Sequence, residues 1–387
     1  MSNSLPLDEP DPAGLYIHIP YCRTKCQYCS FLSYPCHIGE PDYLDALTRR
    51  MRDMAGYPWF KKRRFASIFI GGGTPTIYDG ASLVLLLNAC FDNFKFIDQP
   101  EVSIESNPNT ISLAKLQQCH DAGVNRLSIG VQAFDDRLLS ILGRSHSAQD
   151  AIKAVSAARQ AGFDNINLDL MYGLPGQKVT DWQETLKSAI SLAPEHLSMY
   201  QLSVDEGTPF AELHRQNRLS LPDDDKIIEM EDFTYTFVDK HGYIRYEISN
   251  FGKKGYFCRH NINYWRNGSY LGLGAGAVSC FSGLRLTNTD DLALYMEMAD
   301  KGQDAFADGE ALSNEASFRE SVIMGLRMLR GVSLSELHCR YGIDPREYYG
   351  ERLRLFLEQD LIYLDDDCLR LTTKALPVAN QILSELV

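Results

Sequence analysis

Three cysteines near the start of the chain are spaced in a way that could hold an inorganic centre. Cys22, Cys26 and Cys29 form a Cys-x3-Cys-x2-Cys pattern directly after a short apolar run. Thiolates on so short a loop can converge on one iron–sulfur cluster, and such clusters are normally completed by a fourth cysteine. Because the motif itself holds no fourth cysteine, a four-iron cubane bound here would keep one iron without a protein ligand. Chemistry could take place at that open iron.

The same spacing allows less reactive interpretations. The three thiols could belong to a zinc site that His18 or His37 completes, or they could be unligated thiols on a loop. Cys36 and His37 form another potential ligand pair, although a flexible loop is the simpler interpretation of that stretch. The cysteine pattern alone leaves these alternatives open.

Composition limits the classes of protein to consider. The chain has 387 residues, of which 44% are hydrophobic, and this is ample for one large domain with a smaller one. Its net charge of -13 argues against a broad surface for nucleic acid or anionic membranes. No apolar run approaches the roughly 18 residues that a membrane-spanning helix needs.

Cysteine usage and the first residues predict a cytoplasmic protein. The stretch 1–14 is acidic and proline-rich, lacks the basic and apolar segments of a signal peptide, and is expected to be flexible. Ten cysteines in a chain of this length are typical of reduced thiols rather than of a disulfide framework. The sequence leaves a homodimer and a loose membrane association open.

The elements that must position the cysteines follow from an alternation of short apolar runs and helical patterns up to about residue 202. The predicted strands are LYIHI, ASIFIGG, EVSIES, RLSIGVQ, NINLDLMYG and HLSMYQLS. About six strand–helix units in order predict an α/β fold with a parallel sheet and crossover helices. We expect a partial (β/α)6 TIM-like barrel, with the site at the carboxyl ends of its strands.

Three regions are predicted beyond the N-terminus. The barrel core occupies 15–250, and a Gly- and aromatic-rich connecting region of irregular structure occupies 251–316. The last region, 317–387, shows helices followed by a hairpin, and we expect a C-terminal α+β domain that resembles a winged helix. Its acidic charge disfavours DNA binding and favours packing against the barrel.

Polar or flexible residues recur where the predicted strands end. The run Gly71-Gly72-Gly73-Thr74-Pro75 follows the second strand, Glu105 ends the third, Gln132 ends the fourth, and Asp169 lies in the fifth. Glycines allow close approach of the backbone to a ligand, although a tight turn explains them equally well. Gln132 could hydrogen-bond either a ligand or a loop.

The two carboxylates need partners because they lie in apolar strands. A structural cation such as Arg126 or Arg144 could neutralise them, or a polar ligand could. An acidic side chain beside a strand end often binds ribose hydroxyls, and Asp169 suits that role. The shared location of these residues predicts a ligand site at one end of the barrel.

Longer motifs give a family resemblance. The cysteine pattern with Tyr28 inside it and the Gly-Gly-Gly-Thr-Pro run resemble the radical S-adenosylmethionine (SAM) superfamily. Further stretches resemble the coproporphyrinogen dehydrogenase (HemN)–HemW family, and they are YIHIPYC, FIGGGTPT, SIGVQAF, LGRSH, DLMYGLPGQ, YEISNF and RHNINYW. The likeness spans roughly 14–383.

This resemblance implies cofactors and a role for each matching residue. Cys22, Cys26 and Cys29 would ligate a 4Fe–4S cluster, whose open iron would take the amine and carboxylate of SAM. Tyr16 and Tyr28 match aromatic residues near cofactor and cluster. The residues that match cofactor-contacting positions are Gly72, Gly73 and Thr74 at the methionyl end, with Glu105, Gln132, Arg144 and Asp169, the last facing the ribose.

Two branches of the family have different implied activities. The oxygen-independent coproporphyrinogen III oxidases decarboxylate propionates by means of a 5′-deoxyadenosyl radical, and they carry a fourth cysteine where this chain has Phe31. They also have a longer N-terminal extension. Both departures favour the haem-chaperone branch, which binds haem and delivers it to haem-requiring apoproteins. A radical enzyme that opens the haem ring is a third alternative, so enzymatic activity is left open.

The motif HNINYW provides a candidate haem contact. His260 is a plausible ligand of haem iron among aromatic residues, and Cys258 is a rival because thiolates also bind haem iron. Relatives often carry a histidine where this chain has Val278, so a haem ligand at that position would have to be replaced here.

Overall fold

A computed structural model describes residues 12–36, 39–281 and 283–387. Its strands are β1 (Ala13–Ile19), β2 (Tyr21–Cys22), β3 (Tyr34–Pro35), β4 (Arg64–Gly72), β5 (Lys95–Ser106), β6 (Arg126–Gln132), β7 (Ile166–Tyr172), β8 (His196–Gln201), β9 (Ile244–Arg245), β10 (Asn250–Gly252), β11 (Tyr270–Leu273), β12 (Val278–Phe281), β13 (Leu284–Asn288), β14 (Phe306–Ala311), β15 (Val332–Ser333), β16 (Ile362–Leu364) and β17 (Cys368–Leu371). Its helices are α1 (Pro41–Gly56), α2 (Pro58–Lys61), α3 (Gly80–Asn93), α4 (Leu113–Asp121), α5 (Asp136–Ile141), α6 (Ala148–Gln160), α7 (Val179–Ser191), α8 (Pro209–Arg215), α9 (Asp224–Lys240), α10 (Arg259–Trp265), α11 (Leu292–Asp300), α12 (Asn314–Gly325), α13 (Leu334–Tyr341), α14 (Pro345–Glu358) and α15 (Ala379–Glu385).

A twelve-stranded sheet organises the larger part of the molecule. Its strand order is β14-β13-β12-β11-β1-β4-β5-β6-β7-β8-β10-β9. Neighbouring strands are parallel from β11 to β8. Antiparallel strands extend both edges of this parallel part. Strands β1, β4, β5, β6, β7 and β8 alternate with helices along the chain, which confirms the predicted α/β partial barrel.

Local sequence explains why these elements form where they do. Every residue of β6 is buried, as expected for a parallel strand that is covered on both faces. Three helices begin at polar caps: the side chains of Asp79, Ser112 and Ser147 accept N–H groups from the first turns of α3, α4 and α6. No helix in the described ranges is long and apolar enough to cross a membrane.

The connecting region is more regular than the sequence predicts. It forms α10, β11, β12, β13 and α11, and β11 pairs in parallel with β1 to add a further strand to the barrel sheet. The expectation of irregular structure is therefore wrong for this stretch. The apolar run YLGL is short and flanked by glycines, and its burial against β1 is a tertiary effect that composition does not reveal.

The C-terminal region has its own hydrophobic core and confirms the predicted α+β architecture. Helices α12 to α15 pack with a three-stranded sheet of order β15-β17-β16. Phe318, Leu353 and Leu369 lie in a buried cluster that is separate from the core beneath the barrel sheet. The predicted hairpin is β16–β17, and the two-residue strand β15 adds the third strand.

Replacing Phe318 by alanine tests this second core. The side chain is 0% exposed and lies against the rings of Tyr341, Tyr348 and Tyr349. Its loss should lower the free energy of unfolding by about 3–5 kcal/mol, because a large cavity forms. Chemical denaturation followed by circular dichroism measures the change. Leu355→Ala, at a side chain that is 46% exposed, is the control and should cost far less; equal losses would contradict the burial of Phe318.

Candidate functional site

The cysteine loop leaves the carboxyl end of β1 and is fastened to several elements. The N–H of Cys36 donates to the carbonyl of Cys22 over 2.7 Å, where β2 and β3 pair. The N–H of Gln27 donates to the carbonyl of Leu142, and the carbonyl of Gln27 accepts from Phe210, each over 3.0 Å. The loop is thus held by backbone bonds from both sides.

The three thiols of this loop lie partly exposed and affect one another. The Sγ of Cys22 lies 3.5 Å from the hydroxyl of Thr74, and the Sγ of Cys26 lies 3.5 Å from Nη1 of Arg144. Burial raises the pKa of Cys22 and of Cys29, and the neighbouring thiols raise both values further. Basic side chains oppose this rise: Arg144 lowers the pKa of Cys22, and Lys25 and Arg144 both lower that of Cys29.

The thiols do not surround a single point. Among the described residues, no three Cys, His, Asp or Glu side chains are gathered closely enough to hold one metal ion. In a cubane, each thiolate would bind a different iron, so the three sulfurs need not meet at one centre. The donor set suits such a cluster, because Cys22, Cys26 and Cys29 are accessible whereas Cys90 and Cys119 are buried.

The glycine run packs closely against the protein itself. The N–H of Gly73 donates to the carbonyl of Ile19 over 2.8 Å, and that of Thr74 donates to Tyr21 over 2.7 Å. Gly72 has a φ of +106°, and a Cβ there would lie 2.4 Å from the ring of His18. The glycine run therefore packs β4 closely against the start of the cysteine loop. Only those backbone groups of the run that face away from the loop can contact a ligand.

Two carboxyl groups face each other inside the barrel. Burial raises the pKa of Glu105 to about 8, and the charge of Asp169 adds to the effect. Burial also raises the pKa of Asp169, while hydrogen bonds from Ser128 and Asn167 oppose the rise. In the described part of the chain neither carboxyl forms an ion pair, although Arg126 is near enough to lower both pKa values. Neither Arg126 nor Arg144, the candidate cations predicted from the sequence, forms an ion pair with these carboxyl groups.

Polar side chains of neighbouring strands hold Asp169 in place. Ser128 donates to Oδ2 of Asp169 over 2.9 Å, and Nδ2 of Asn167 donates to Oδ1 over 2.8 Å. Glu105 instead accepts the N–H of Gly72 over 3.1 Å. Ser128 and Asn167 were not among the predicted site residues. Asn167 precedes Asp169 by two residues on β7 and pairs with Ser128 on β6, and this register was the signal that could have identified them.

Gln132 and Arg144 complete this end of the barrel. Gln132 has a φ of +67° and follows a bulge in the pairing of β6 with β7, as is common beside active sites. Nη2 of Arg144 donates to the carbonyl of Gly130 over 2.5 Å, and its buried Nε has no partner. Burial lowers the pKa of Arg144, but Tyr28 and Cys26 outweigh it and raise the value. The free Nε is a donor available to an anion.

Tyr16 lies in β1, and Tyr28 lies within the cysteine loop. Burial raises the pKa of both phenols, so both remain protonated. Tyr16 donates to Nδ1 of His18 over 2.9 Å, because Nε2 of His18 must donate to the carbonyl of Leu32 over 3.1 Å. His18 thus fixes the end of the loop rather than completing a metal site with the cysteines.

Tyr200 is a further residue that sequence reasoning missed. It is 40% exposed at the end of β8, and burial of its hydroxyl and the charge of Asp169 raise its pKa. Its place in HLSMYQ, a predicted strand of the barrel, gave its location but not the direction of its side chain.

His260 lies behind Tyr16, with the centroids of the two rings 6.5 Å apart. It is 0% exposed and lies near Gly14 and Ser67, in the amino-terminal halves of β1 and β4. Its Nδ1 is 2.8 Å from the hydroxyl of Ser67, and its Nε2 is 2.9 Å from that of Tyr264. Burial lowers its pKa to about 3. In this arrangement both ring nitrogens are already hydrogen-bonded, and haem contact by His260 stays a prediction.

The other residues considered as haem or metal contacts differ in their exposure, and one of them lies outside the described ranges. Cys258 is buried, and its Sγ is 3.4 Å from Oε1 of Glu101. Val278 begins β12 and is partly buried. Cys36 contacts Glu40 at 3.9 Å, whereas His37 is outside the described residues.

The raised pKa of Glu105 predicts a pH dependence of stability. Its folded value of about 8 exceeds the ordinary 4.5, so the folded protein holds a proton that the unfolded chain has released. The free energy of unfolding of the cofactor-free protein should therefore fall between about pH 5 and pH 8, by up to about 1.4 kcal/mol per pH unit. Glu105→Gln should flatten this decline, since a neutral amide oxygen can still accept the N–H of Gly72. Denaturant titrations across this pH range measure the slope.

Glu206→Gln serves as the matched control, because Glu206 is exposed. It should keep the slope of the unaltered protein. Identical slopes for Glu105→Gln and the unaltered protein would show that Glu105 titrates normally.

Comparison with known proteins identifies the family. Residues 16–189 match the radical SAM superfamily, and residues 312–378 match the HemN C-terminal domain. The chain is 37% identical to the heme chaperone HemW of Bacillus subtilis (strain 168) over 373 residues, which cover 95% of this chain and 97% of that protein. It is 39% identical to the heme chaperone HemW of Escherichia coli (strain K12) over 268 residues, 69% of each chain.

A solved structure agrees with these sequence likenesses. Coproporphyrinogen III oxidase (HemN) from Escherichia coli matches with a TM-score of 0.84 and 25% identity, over 99% of this chain and 91% of that one. The resemblance drawn from the motifs is thereby confirmed, as is the α/β radical SAM fold with its C-terminal domain. The chain belongs to the HemW family of the radical SAM superfamily.

Proposed function

We propose that this chain binds haem and passes it to haem-requiring apoproteins in the cytoplasm. A 4Fe–4S cluster and SAM would be retained at the carboxyl ends of the barrel strands, for redox control or conformational gating. The observation that carries the proposal is Phe31, which stands where the oxidases of the family have a fourth cysteine and is 66% exposed beside the cysteine loop. Similarity to relatives named heme chaperone HemW supports the same function.

The charges at the strand ends support binding of SAM. Glu105 and Asp169 lack an ion-pair partner in the described chain, and a sulfonium is a cation that can lie beside them. The unpartnered Nε of Arg144 can donate to the carboxylate of the methionyl group. Asp169 can accept from ribose hydroxyls, since Ser128 and Asn167 each bond to a different oxygen of its carboxylate, and each oxygen can accept a further hydrogen bond.

The cysteine loop supports binding of the cluster. Arg144 lies beside Cys26 and would offset the negative charge of thiolates bound to iron. When bound and reduced, such a cluster supplies one electron to the sulfonium of SAM. Tyr16 and Tyr28 remain protonated and line the loop, so they limit the access of water without adding charge.

Single cysteine replacements test the cluster. Cys22→Ser, Cys26→Ser and Cys29→Ser should each lower bound iron and sulfide well below the value of about four irons per chain expected after anaerobic reconstitution. Cys36→Ser is the matched control, because Cys36 is partly exposed on the same loop and lies outside the motif. Iron and sulfide analysis with electron paramagnetic resonance measures the outcome. Loss of iron from the Cys36 variant alone would contradict the assignment.

A haem titration tests the chaperone function and the role of His260. The reconstituted protein should bind haem with a shift of the Soret band, and His260→Ala should weaken binding if the imidazole exchanges its hydrogen bonds for iron. Tyr264→Phe keeps the ring but frees Nε2 of His260, so it should preserve or strengthen binding. Weaker binding in both variants would assign His260 a structural role. Absence of any Soret shift in the unaltered protein would reject haem binding.

The likeness to coproporphyrinogen III oxidase favours a second candidate function. The chain could decarboxylate coproporphyrinogen propionates oxidatively, since the fold of that enzyme covers nearly the whole chain. An anaerobic assay with reductant and SAM separates the alternatives: protoporphyrinogen formation would overturn the proposal of haem carriage. Consumption of the Soret band, rather than a shift, would indicate ring opening of haem.

A further inference from the structure

His196 lies inside the barrel and makes no contact with the predicted site residues, yet it connects to one of them. It is 0% exposed and begins β8, where its partner in register on β7 is Asn167. Two residues further along β7 lies Asp169, on the same face of the strand. The three side chains therefore point into the same space, the interior of the barrel.

The hydrogen bonds of Asn167 determine which way its amide faces. Its Nδ2 is 2.7 Å from the hydroxyl of Ser128 and 2.8 Å from Oδ1 of Asp169. In these contacts the amide nitrogen is the donor, so it faces Asp169. The amide oxygen then faces the opposite way, where Ser198 donates to it over 3.1 Å.

His196 supplies the second donor to that amide oxygen. Its Nδ1 lies 2.6 Å from Oδ1 of Asn167 and 3.4 Å from Nη2 of Arg126. The much shorter contact is with an amide oxygen, which only accepts, so Nδ1 carries the proton. Its Nε2 must then accept, and the hydroxyl of Tyr246 lies 2.8 Å away as the donor. That hydroxyl accepts in turn from the N–H of Cys258 over 3.3 Å. Burial and the charge of Arg126 lower the pKa of His196, which keeps the imidazole neutral.

We infer that His196 is a positioning residue for the SAM site, which fixes the amide of Asn167 and through it the carboxylate of Asp169. This inference rests on the proposed binding of SAM. Without a donor at Nδ1, only the longer bond from Ser198 holds the amide oxygen of Asn167. The amide can then turn its oxygen toward Asp169, and the repulsion between the two oxygens moves the carboxylate. His196 bonds to Asn167 and does not itself reach the SAM site, so its effect on SAM binding passes through Asn167.

Replacements that differ in where they place a donor test this role. His196→Asn puts an amide nitrogen close to the position of Nδ1, whereas His196→Gln puts its amide near the position of Nε2. His196→Phe removes both nitrogens and keeps a ring of similar size. We expect His196→Phe and His196→Gln to weaken SAM binding about tenfold, and His196→Asn to stay within about threefold of the unaltered protein.

The measurement is the dissociation constant of SAM for reconstituted protein, by anaerobic equilibrium dialysis. The SAM-dependent change in the electron paramagnetic resonance spectrum of the reduced cluster is a second readout. Tyr243→Phe is the matched control: it removes another buried hydroxyl, which donates to the carbonyl of Pro194 next to β8 and has no bond to Asn167. It should bind SAM normally.

The outcomes distinguish failure of the proposed SAM site from failure of the inference about His196. If the unaltered protein does not bind SAM, the proposed function fails and the inference fails with it. If Asp169→Ala weakens binding while His196→Gln and His196→Phe do not, only the inference about His196 is rejected. Equal weakening by His196→Asn and His196→Gln also rejects it, because a general structural role predicts no difference between them. If His196→Phe does not fold, the comparison of the Asn and Gln variants decides.

Discussion

The burial of Glu105 and Asp169 close together is the constraint on which the rest of the site depends. Both carboxyl groups lose hydration inside the barrel, each raises the cost of ionising the other, and no described basic side chain pairs with them. The surroundings offer dipoles instead: a backbone N–H for Glu105, and a hydroxyl and an amide for Asp169. Dipoles orient the groups without neutralising them, so either a proton on Glu105 or a cationic ligand must supply the missing positive charge.

This constraint explains why the neighbouring elements are built as they are. Gly72 must lack a side chain, because the ring of His18 fills the space that a Cβ would occupy. The backbone N–H of Gly72 also donates to Glu105. His18 in turn bonds to the carbonyl of Leu32 at the far end of the cysteine loop. The loop and the carboxyl pair are therefore joined through one imidazole and one glycine, and a cation held by the carboxyls would lie next to the loop.

The sequence predicted the barrel well because each strand is a short apolar run followed by a helix with a polar cap. It also predicted which residues gather at the strand ends, since parallel strands bring their carboxyl ends to one edge. It failed for β11, whose four residues become a strand only through contact with β1. The sequence could not reveal the hydrogen bond between Asn167 and His196 either. These side chains meet because β7 and β8 pair in a particular register, which local sequence patterns do not determine.

The surroundings of His260, the predicted haem contact, differ from those of the cysteine loop, the predicted cluster site. Its imidazole lies among Ser67, Tyr264 and the ring of Phe69, 5.1 Å away, and the backbone around it bonds to the buried Glu101. Binding of iron there requires breaking at least one of two hydrogen bonds inside a packed region. The cysteine loop, by contrast, carries an exposed Phe31 and accessible thiols. A large flat ligand can approach the loop without disturbing the core, whereas it can reach His260 only if α10 moves away from β4.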